Sequence, residues 1–306
     1  MRIAIASGKG GTGKTLISTN LFYVLKETGN DVTLADCDAE EPNSAAFFNC
    51  IKLSAKEVVQ KTPVIDQNLC TYCGKCEEYC SYNAIFLVKE RKLIKVMEDL
   101  CHGCGACSYA CTYGAITEKE NSLGEVIRFN HPSDLDTGRD SLIVEGRMRI
   151  GAYTPVPIIK AAVREAGTGV RESGTGNKGV INEAFVILDS PPGTSCPFIH
   201  TVSSADFVLL VTEPTPFGVS DLKISVSILR KLNKPFAVIV NRAGLGSRDV
   251  YDYLSKENIR LAMEIPFDRE IAGIYSEGGI VAAKKDDLRK KFEKLAYSIT
   301  EQKFNN

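Results

Sequence analysis

Two sets of residues in this 306-residue chain have the types and spacing to do chemistry. The first is Gly8-Lys9-Gly10-Gly11-Thr12-Gly13-Lys14-Thr15. Glycines at this density let successive backbone N–H groups turn inward around phosphate oxygens. Lys14 is then placed to reach the β- and γ-phosphates and the Thr15 hydroxyl to ligate Mg²⁺. The second set holds eight of the chain's eleven cysteines, between Cys70 and Cys111. It reads C-x₂-C-x₂-C-x₃-C twice, as Cys70, Cys73, Cys76, Cys80 and then, 31 residues on, Cys101, Cys104, Cys107, Cys111. Three cysteines so spaced wrap three corners of a [4Fe–4S] cubane, and the fourth lies too far along to close the same one, so it ligates the other cluster. One cluster would use Cys70, Cys73, Cys76 and Cys111, and the other Cys101, Cys104, Cys107 and Cys80. Structural zinc is the competing reading, though it favours two separated CxxC pairs. His102, inside the second motif, reads as a hydrogen-bond donor or an exposed residue rather than a ligand. Cys37, Cys50 and Cys196 read as ordinary small side chains.

The elements needed to position these residues can be read along the chain. Arg2 to Ala6 is a short apolar run, and Leu16 to Thr28 places Ile17, Leu21, Val24 and Leu25 at helical spacing. Strand, glycine loop and helix in that order put the phosphates at a helix N-terminus. Asp31 to Asp38 predicts a second strand ending in Asp36 and Asp38, and Ala184 to Asp189 a buried strand ending in Asp189. Carboxylates at strand ends beside a phosphate loop suit Mg²⁺ handling and water activation; Asp38 has the alternative of capping the next helix. Phe207 to Val211 and Phe236 to Val240 predict further buried parallel strands, and Arg260 to Pro266 a short edge strand. The fold class expected is α/β, a mostly parallel sheet with helices on both faces.

This rhythm stops near residue 62. The cysteine repeat, echoed in the tails Tyr82-Asn83-Ala84-Ile85 and Tyr113-Gly114-Ala115-Ile116, reads as a small duplicated module inserted into the nucleotide domain. The expected domains are 1–62 with 119–306, and 63–118. Asp140 to Ile150 alternates like a strand or hairpin, Pro157 to Ala166 reads as a helix, and residues 167–179 as a glycine-rich surface loop. In the last helix, Leu288, Phe292, Leu295 and Ile299 have core spacing, although a membrane-surface helix is the alternative. A net charge of −1 offers nothing to nucleic acid or an anionic membrane. With no export-like leader and no apolar run of about eighteen residues, a cytoplasmic protein without stable membrane anchoring is expected.

With both motifs quoted, the chain resembles the MinD/ParA/Mrp superfamily of P-loop ATPases, specifically those with an inserted bacterial-ferredoxin-like 2[4Fe–4S] domain of α+β type. The loop from Lys9 to Thr15 looks like that superfamily's deviant Walker A motif. The resemblance implies ATP/ADP and Mg²⁺ as cofactors, with Gly10, Gly11, Thr12, Gly13, Lys14 and Thr15 around the phosphates. It implies that Lys9 reaches the partner's phosphates across an ATP-dependent homodimer. Asp38 would position the attacking water, Asp36 and Asp189 (the Walker B residue) would serve Mg²⁺ with Thr15, and Asn241 would contact adenine. One departure stands out: the ferredoxin pattern has proline after the fourth cysteine, and here Ser81 and Thr112 follow. The expected activity is ATP hydrolysis coupled to electron transfer through the clusters toward an unidentified redox or cluster-acceptor protein. Cluster assembly or delivery, and spatial regulation with the clusters as staples or sensor, are the alternatives.

Overall fold

The computed structural model describes residues 1–130, 142–168 and 184–301. Most of the expected glycine-rich loop at 167–179 lies outside them. The strands are β1 (Arg2–Ala6), β2 (Asp31–Asp36), β3 (Ile51–Ile65), β4 (Ile85–Val88), β5 (Leu93–Val96), β6 (Ile116–Asn130), β7 (Leu142–Met148), β8 (Ala184–Asp189), β9 (Phe207–Thr212), β10 (Phe236–Ala243) and β11 (Leu261–Pro266). Nine form one sheet in the order β11-β10-β9-β1-β8-β2-β7-β6-β3, and the paired runs from β11 through to β7 are parallel. The expected mostly parallel α/β sheet is therefore present, with β11 at one edge.

The reason lies in the alternation within each central strand. Ile3, Ile5, Phe185, Ile187, Leu209 and Ile239 enter one core with helix α1 (Lys14–Glu27) and the C-terminal helix Asp286–Thr300. The intervening Ala4, Val186, Leu188, Val208, Leu210 and Val238 are equally buried but lie outside that cluster, on the opposite face. A strand buried on both faces has no polar side, which is why these segments read as continuous apolar runs. In the last helix Leu288, Phe292, Leu295 and Ile299 are all buried, so its apolar stripe is core. Among the described residues no helix is long and apolar enough to cross a membrane.

The chain divides into two compact units, residues 1–56, 126–147 and 158–306, and residues 57–125 with 148–157. The sequence boundaries at 63 and 118 fall inside β3 and β6, 15 residues each, which run from one unit into the other. Neither strand is a continuous apolar run like those that mark the central strands.

In the second unit the 31-residue repeat is carried by the backbone. Left-handed residues recur as Tyr72 and Gly103 (φ 55° and 63°), Gly74 and Gly105 (89° and 74°), and Asn83 and Gly114 (53° and 63°). Each of Gly74 and Gly105 opens a short helix, α2 (Lys75–Glu78) and α3 (Ala106–Ala110). At Gly103 an added Cβ would also stand 2.7 Å from Gln60 Cγ and 2.8 Å from the Lys61 carbonyl, whereas at Gly114 it would meet open space. Both substitutions to alanine incur the left-handed cost of about 1–2 kcal/mol. Gly103→Ala is expected to lower the unfolding free energy clearly more than Gly114→Ala, measured by denaturant titration of the two variants side by side.

Candidate nucleotide site and cysteine cavity

The glycine loop leaves β1 and enters α1 through Gly13, in the left-handed region at φ 96°, where a side chain would collide with the Asn241 amide. Asn241 is buried, donating to the Thr12 carbonyl at 2.8 Å while its oxygen accepts the Arg242 N–H at 2.9 Å. It thus braces the loop from below. Arg242, itself left-handed at φ 53°, donates to the Gly11 carbonyl at 3.4 Å and pairs with Glu213 at 3.3 Å. Lys9 is half-buried with its carbonyl accepting the Ser7 hydroxyl at 2.6 Å.

Strand register brings the carboxylates together. Ile5 pairs with Asp189, Asp189 with Asp36, and Asp36 with Glu145, at the C-terminal ends of β1, β8 and β2 and midway along β7. Asp36, Asp189 and Glu145 are each at most 2% exposed. Asp36 accepts backbone N–H groups from Asp38 (3.0 Å), Asn43 (2.9 Å) and Ser44 (2.9 Å), and Glu145 accepts the next one, Ala45, at 2.9 Å. Two carboxylates on neighbouring strands therefore clamp three successive N–H groups of the loop that follows Asp38. Arg147 closes on the other Glu145 oxygen at 3.1 Å. Asp189 accepts the Ser18 hydroxyl at 3.0 Å through Oδ2, while its Oδ1 is buried with no partner. That orphaned oxygen, beside Thr15 and Lys14, fits a hydrated cation.

The electrostatics follow from burial. Lys14 is lowered from its ordinary value by burial, against the pull of Asp189, Asp38 and Asp36. Asp38 is pushed up to about 6, first by burial and then by Asp36, with Lys14 opposing. Burial pushes Asp36 up against the three backbone N–H groups, and burial together with Asp36 lifts Asp189 from 3.8 to about 7. Of that pair Asp36 is held by three backbone N–H groups, whereas Asp189 has one hydroxyl donor and one free oxygen. Burial and the three aspartates push the Cys37 thiol far up, which leaves it inert at neutral pH.

Sequence reasoning missed Glu145, which looked like the solvent-facing member of an alternating strand. It also missed Tyr275, half-buried near Thr15 and Asp189, whose ring lies 5.0 Å from that of Phe47. No local pattern marks either residue; only strand register and a helix arriving from the C-terminal end bring them to the site.

In the second unit, Cys70, Cys73 and Cys76 line a small cavity open to solvent, and the fourth cysteine in its wall is Cys111, from the other repeat. Cys80, Cys104 and Cys107 each lie close enough to Cys101 for their charges to interact. The Tyr72 and Gly103 N–H groups donate to Cys70 and Cys101 Sγ, each at 3.4 Å, and Ala84 N–H to Cys80 Sγ at 3.2 Å. Burial pushes the Cys76, Cys101 and Cys107 thiols up, against nearby backbone N–H groups. The His102 ring stacks on Tyr82 at 3.8 Å, away from a ligand's task. Among the described residues no group of three or more His, Cys, Asp or Glu converges to hold a single metal ion.

A phosphate loop between central parallel strands, with buried carboxylates on the neighbouring strand ends, defines a P-loop nucleotide-binding protein. The chain belongs to the CobQ/CobB/MinD/ParA nucleotide-binding domain family, which it matches over residues 3–281. It is 33% identical over 303 residues to an uncharacterized protein of Methanocaldococcus jannaschii, covering 97% of this chain and 96% of that one. It is 23% identical over 323 residues to the iron-sulfur cluster carrier protein of Aquifex aeolicus, covering 99% of this chain and 69% of that one. Among solved structures, the septum site-determining protein MinD of Pyrococcus horikoshii, complexed with Mg-ADP, shares the fold with a TM-score of 0.55. Its sequence identity is 18%, with 97% of this chain and 95% of that one covered.

Two predictions follow from the carboxylate row. Glu145→Leu strands the Ala45 N–H and is expected to cost about 1–3 kcal/mol of unfolding free energy, whereas Glu145→Gln keeps an acceptor and loses less; denaturant titration of both checks this. For Asp189 the folded-state value lies above the unfolded one, so its stabilising contribution is complete below pH 3.8 and is lost as pH rises through about 7. The nucleotide-free protein should therefore lose stability from pH 5 to pH 8, and Asp189→Asn should flatten that slope in thermal melts.

Proposed function

We propose that this protein is an ATP-binding and ATP-hydrolysing iron–sulfur protein that couples nucleotide state to electron transfer through two [4Fe–4S] clusters. The observation that carries the reading is the cavity bordered by Cys70, Cys73, Cys76 and the cross-repeat Cys111. Four thiols that line a cavity rather than converge on one point suit a multi-iron cluster better than a tetrahedral zinc. Cys101, Cys104, Cys107 and Cys80 form the second set. Clusters held there supply one-electron carriage. Around each, the chain's own contribution is the set of N–H groups aimed at sulfur, which stabilises thiolate and tunes the potential.

At the nucleotide site, Gly10, Gly11, Thr12 and Gly13 present the loop's backbone to the phosphates, and Lys14 supplies the charge. Thr15 and the unpartnered Asp189 oxygen would hold Mg²⁺, with Asp36 keeping the following loop in place. Asp38, half-buried at that loop's start with a value near 6, is the residue to position an attacking water. Asn241 holds the loop through the Thr12 carbonyl, and the family resemblance gives it the contact to adenine. Lys9 acts across an ATP-dependent homodimer. An unidentified redox or cluster-acceptor protein completes the system, and the chain acts without nucleic acid or membrane anchoring, in the cytoplasm. The ferredoxin-like module comprises the duplicated cysteine segment, 63–118, set into the ATPase domain of 1–62 and 119–306.

Similarity to the Aquifex aeolicus carrier favours a second reading, cluster assembly or delivery. Complete four-cysteine sets argue against it, because a cluster with four protein ligands is hard to release. One experiment separates them: an anaerobic redox titration followed by EPR, with and without Mg²⁺ and a non-hydrolysable ATP analogue. A nucleotide-dependent shift in potential or spectrum is expected, and Lys14→Ala should abolish both nucleotide binding and the shift while iron content stays. Loss of cluster to an apo-acceptor on ATP addition, with no reversible redox cycle, would replace this reading by delivery.

A further inference from the structure

The hairpin β4–β5 is built asymmetrically. Its register pairs Ile85 with Val96 and Leu87 with Ile94 on one face, and Phe86 with Lys95 and Val88 with Leu93 on the other. Ile85 and Ile94 are buried against Cys76, with Leu87, Cys70 and Cys107 packed around them. This inner face touches members of both cysteine sets. The outer face does the opposite of what a solvated face does: Phe86 is 51% exposed and Leu93 48%.

The turn joining the strands adds charge. Residues 89–95 carry Lys89, Arg91, Lys92 and Lys95 against the single anion Glu90, in a chain whose net charge is −1. All four cations are exposed, and among the described residues none of them forms an ion pair. The Lys89 stem lies over the Cys73-Gly74-Lys75 segment: a Cβ added to Gly74 would stand 2.9 Å from Lys89 Cε. Cys73 beside it is exposed. An aromatic and an aliphatic residue ringed by cations have the anatomy of an interface core with a polar rim. Only one strand layer, roughly the 10 Å of a sheet-packing step, separates that face from Cys76.

We infer that the outer face of the β4–β5 hairpin, centred on Phe86 and Leu93 and rimmed by Arg91, Lys92 and Lys95, is the docking site for an acidic one-electron carrier protein. This rests on the proposed clusters. The cations steer an acidic partner and set its on-rate, while the apolar centre gives contact small enough for rapid release. One electron passes from the reduced protein to the carrier's oxidised centre, and no proton or atom moves with it.

The test uses the full-length, cluster-loaded protein, chemically reduced and desalted, mixed in a stopped-flow instrument with two oxidised acceptors of opposite charge, acidic plastocyanin and basic cytochrome c. The variant is Arg91→Glu with Lys92→Glu and Lys95→Glu. Wild-type oxidation by plastocyanin should be the faster and should slow as salt rises from about 20 to about 200 mM. The triple variant should lose about tenfold or more of that low-salt rate, with the cytochrome c rate unchanged or raised. Iron and acid-labile sulfide content should match wild type; if charge reversal lowers it, the glutamine triple variant at the same positions is used and should show a smaller loss in the same direction. An unchanged plastocyanin rate in an iron-replete variant overturns the docking face alone. Faster wild-type transfer to cytochrome c also overturns it, as does tight binding of labelled single-stranded DNA that the variant loses. A wild-type protein without iron overturns the cluster reading and this inference with it.

Discussion

The nucleotide half of this molecule depends on burying three carboxylates side by side at one edge of a parallel sheet. Asp189, Asp36 and Glu145 occupy adjacent register positions on β8, β2 and β7. Uncompensated, three charges in such a place would be untenable. The chain answers with different partners for each. Glu145 takes a backbone N–H and an arginine, Asp36 takes three backbone N–H groups, and Asp189 takes the Ser18 hydroxyl and keeps one free oxygen. Lys14 supplies the nearest opposite charge at the cost of its own solvation. The result is a site poised for a cation and phosphates, held by groups that cannot relax away from it.

The same arrangement explains why the loop after Asp38 has a defined course. Its N–H groups at residues 43–45 are tied to strands that arrive from distant parts of the chain, Glu145 being 100 residues from Ala45. The carboxylate that would act on water thus belongs to a segment braced at both ends, by β2 on one side and by this clamp on the other. Asn241 does the corresponding work under the phosphate loop, from 229 residues away. Preorganisation here comes from long-range hydrogen bonds to backbone, which do not depend on flexible side chains meeting in water.

The cysteine-bearing unit solves a different problem. A small segment with only Cys76, Ile85 and Ile94 buried in its core cluster repeats one backbone design twice, with left-handed residues at matching positions and matching N–H-to-sulfur hydrogen bonds. Where the first copy tolerates Tyr72 and Asn83 in that conformation, the second uses Gly103 and Gly114. Glycine at 103 is also a packing requirement, because Gln60 and the Lys61 carbonyl fill the space a side chain would need.

Much of this could be read without coordinates. The glycine loop, the buried strands ending in Asp36 and Asp189, the apolar stripe of the last helix and the 31-residue repeat are local signals: each depends on spacing within one element, which backbone geometry translates directly into structure. β3 and β6 escaped notice because neither is a continuous apolar run of the kind that marks the central strands. Glu145 escaped because a glutamate in an alternating strand looks solvent-facing until a neighbouring strand is placed beside it. The residues of the phosphate loop and the cysteine spacing were thus determined by sequence alone. Which carboxylates stand in one row, that Asn241 lies beneath the loop, and that Cys111 shares a cavity with Cys70, Cys73 and Cys76 were decided only by tertiary structure. β8 enters between β1 and β2 although it follows them by some 150 residues, and such non-local pairing leaves no trace in any window of sequence.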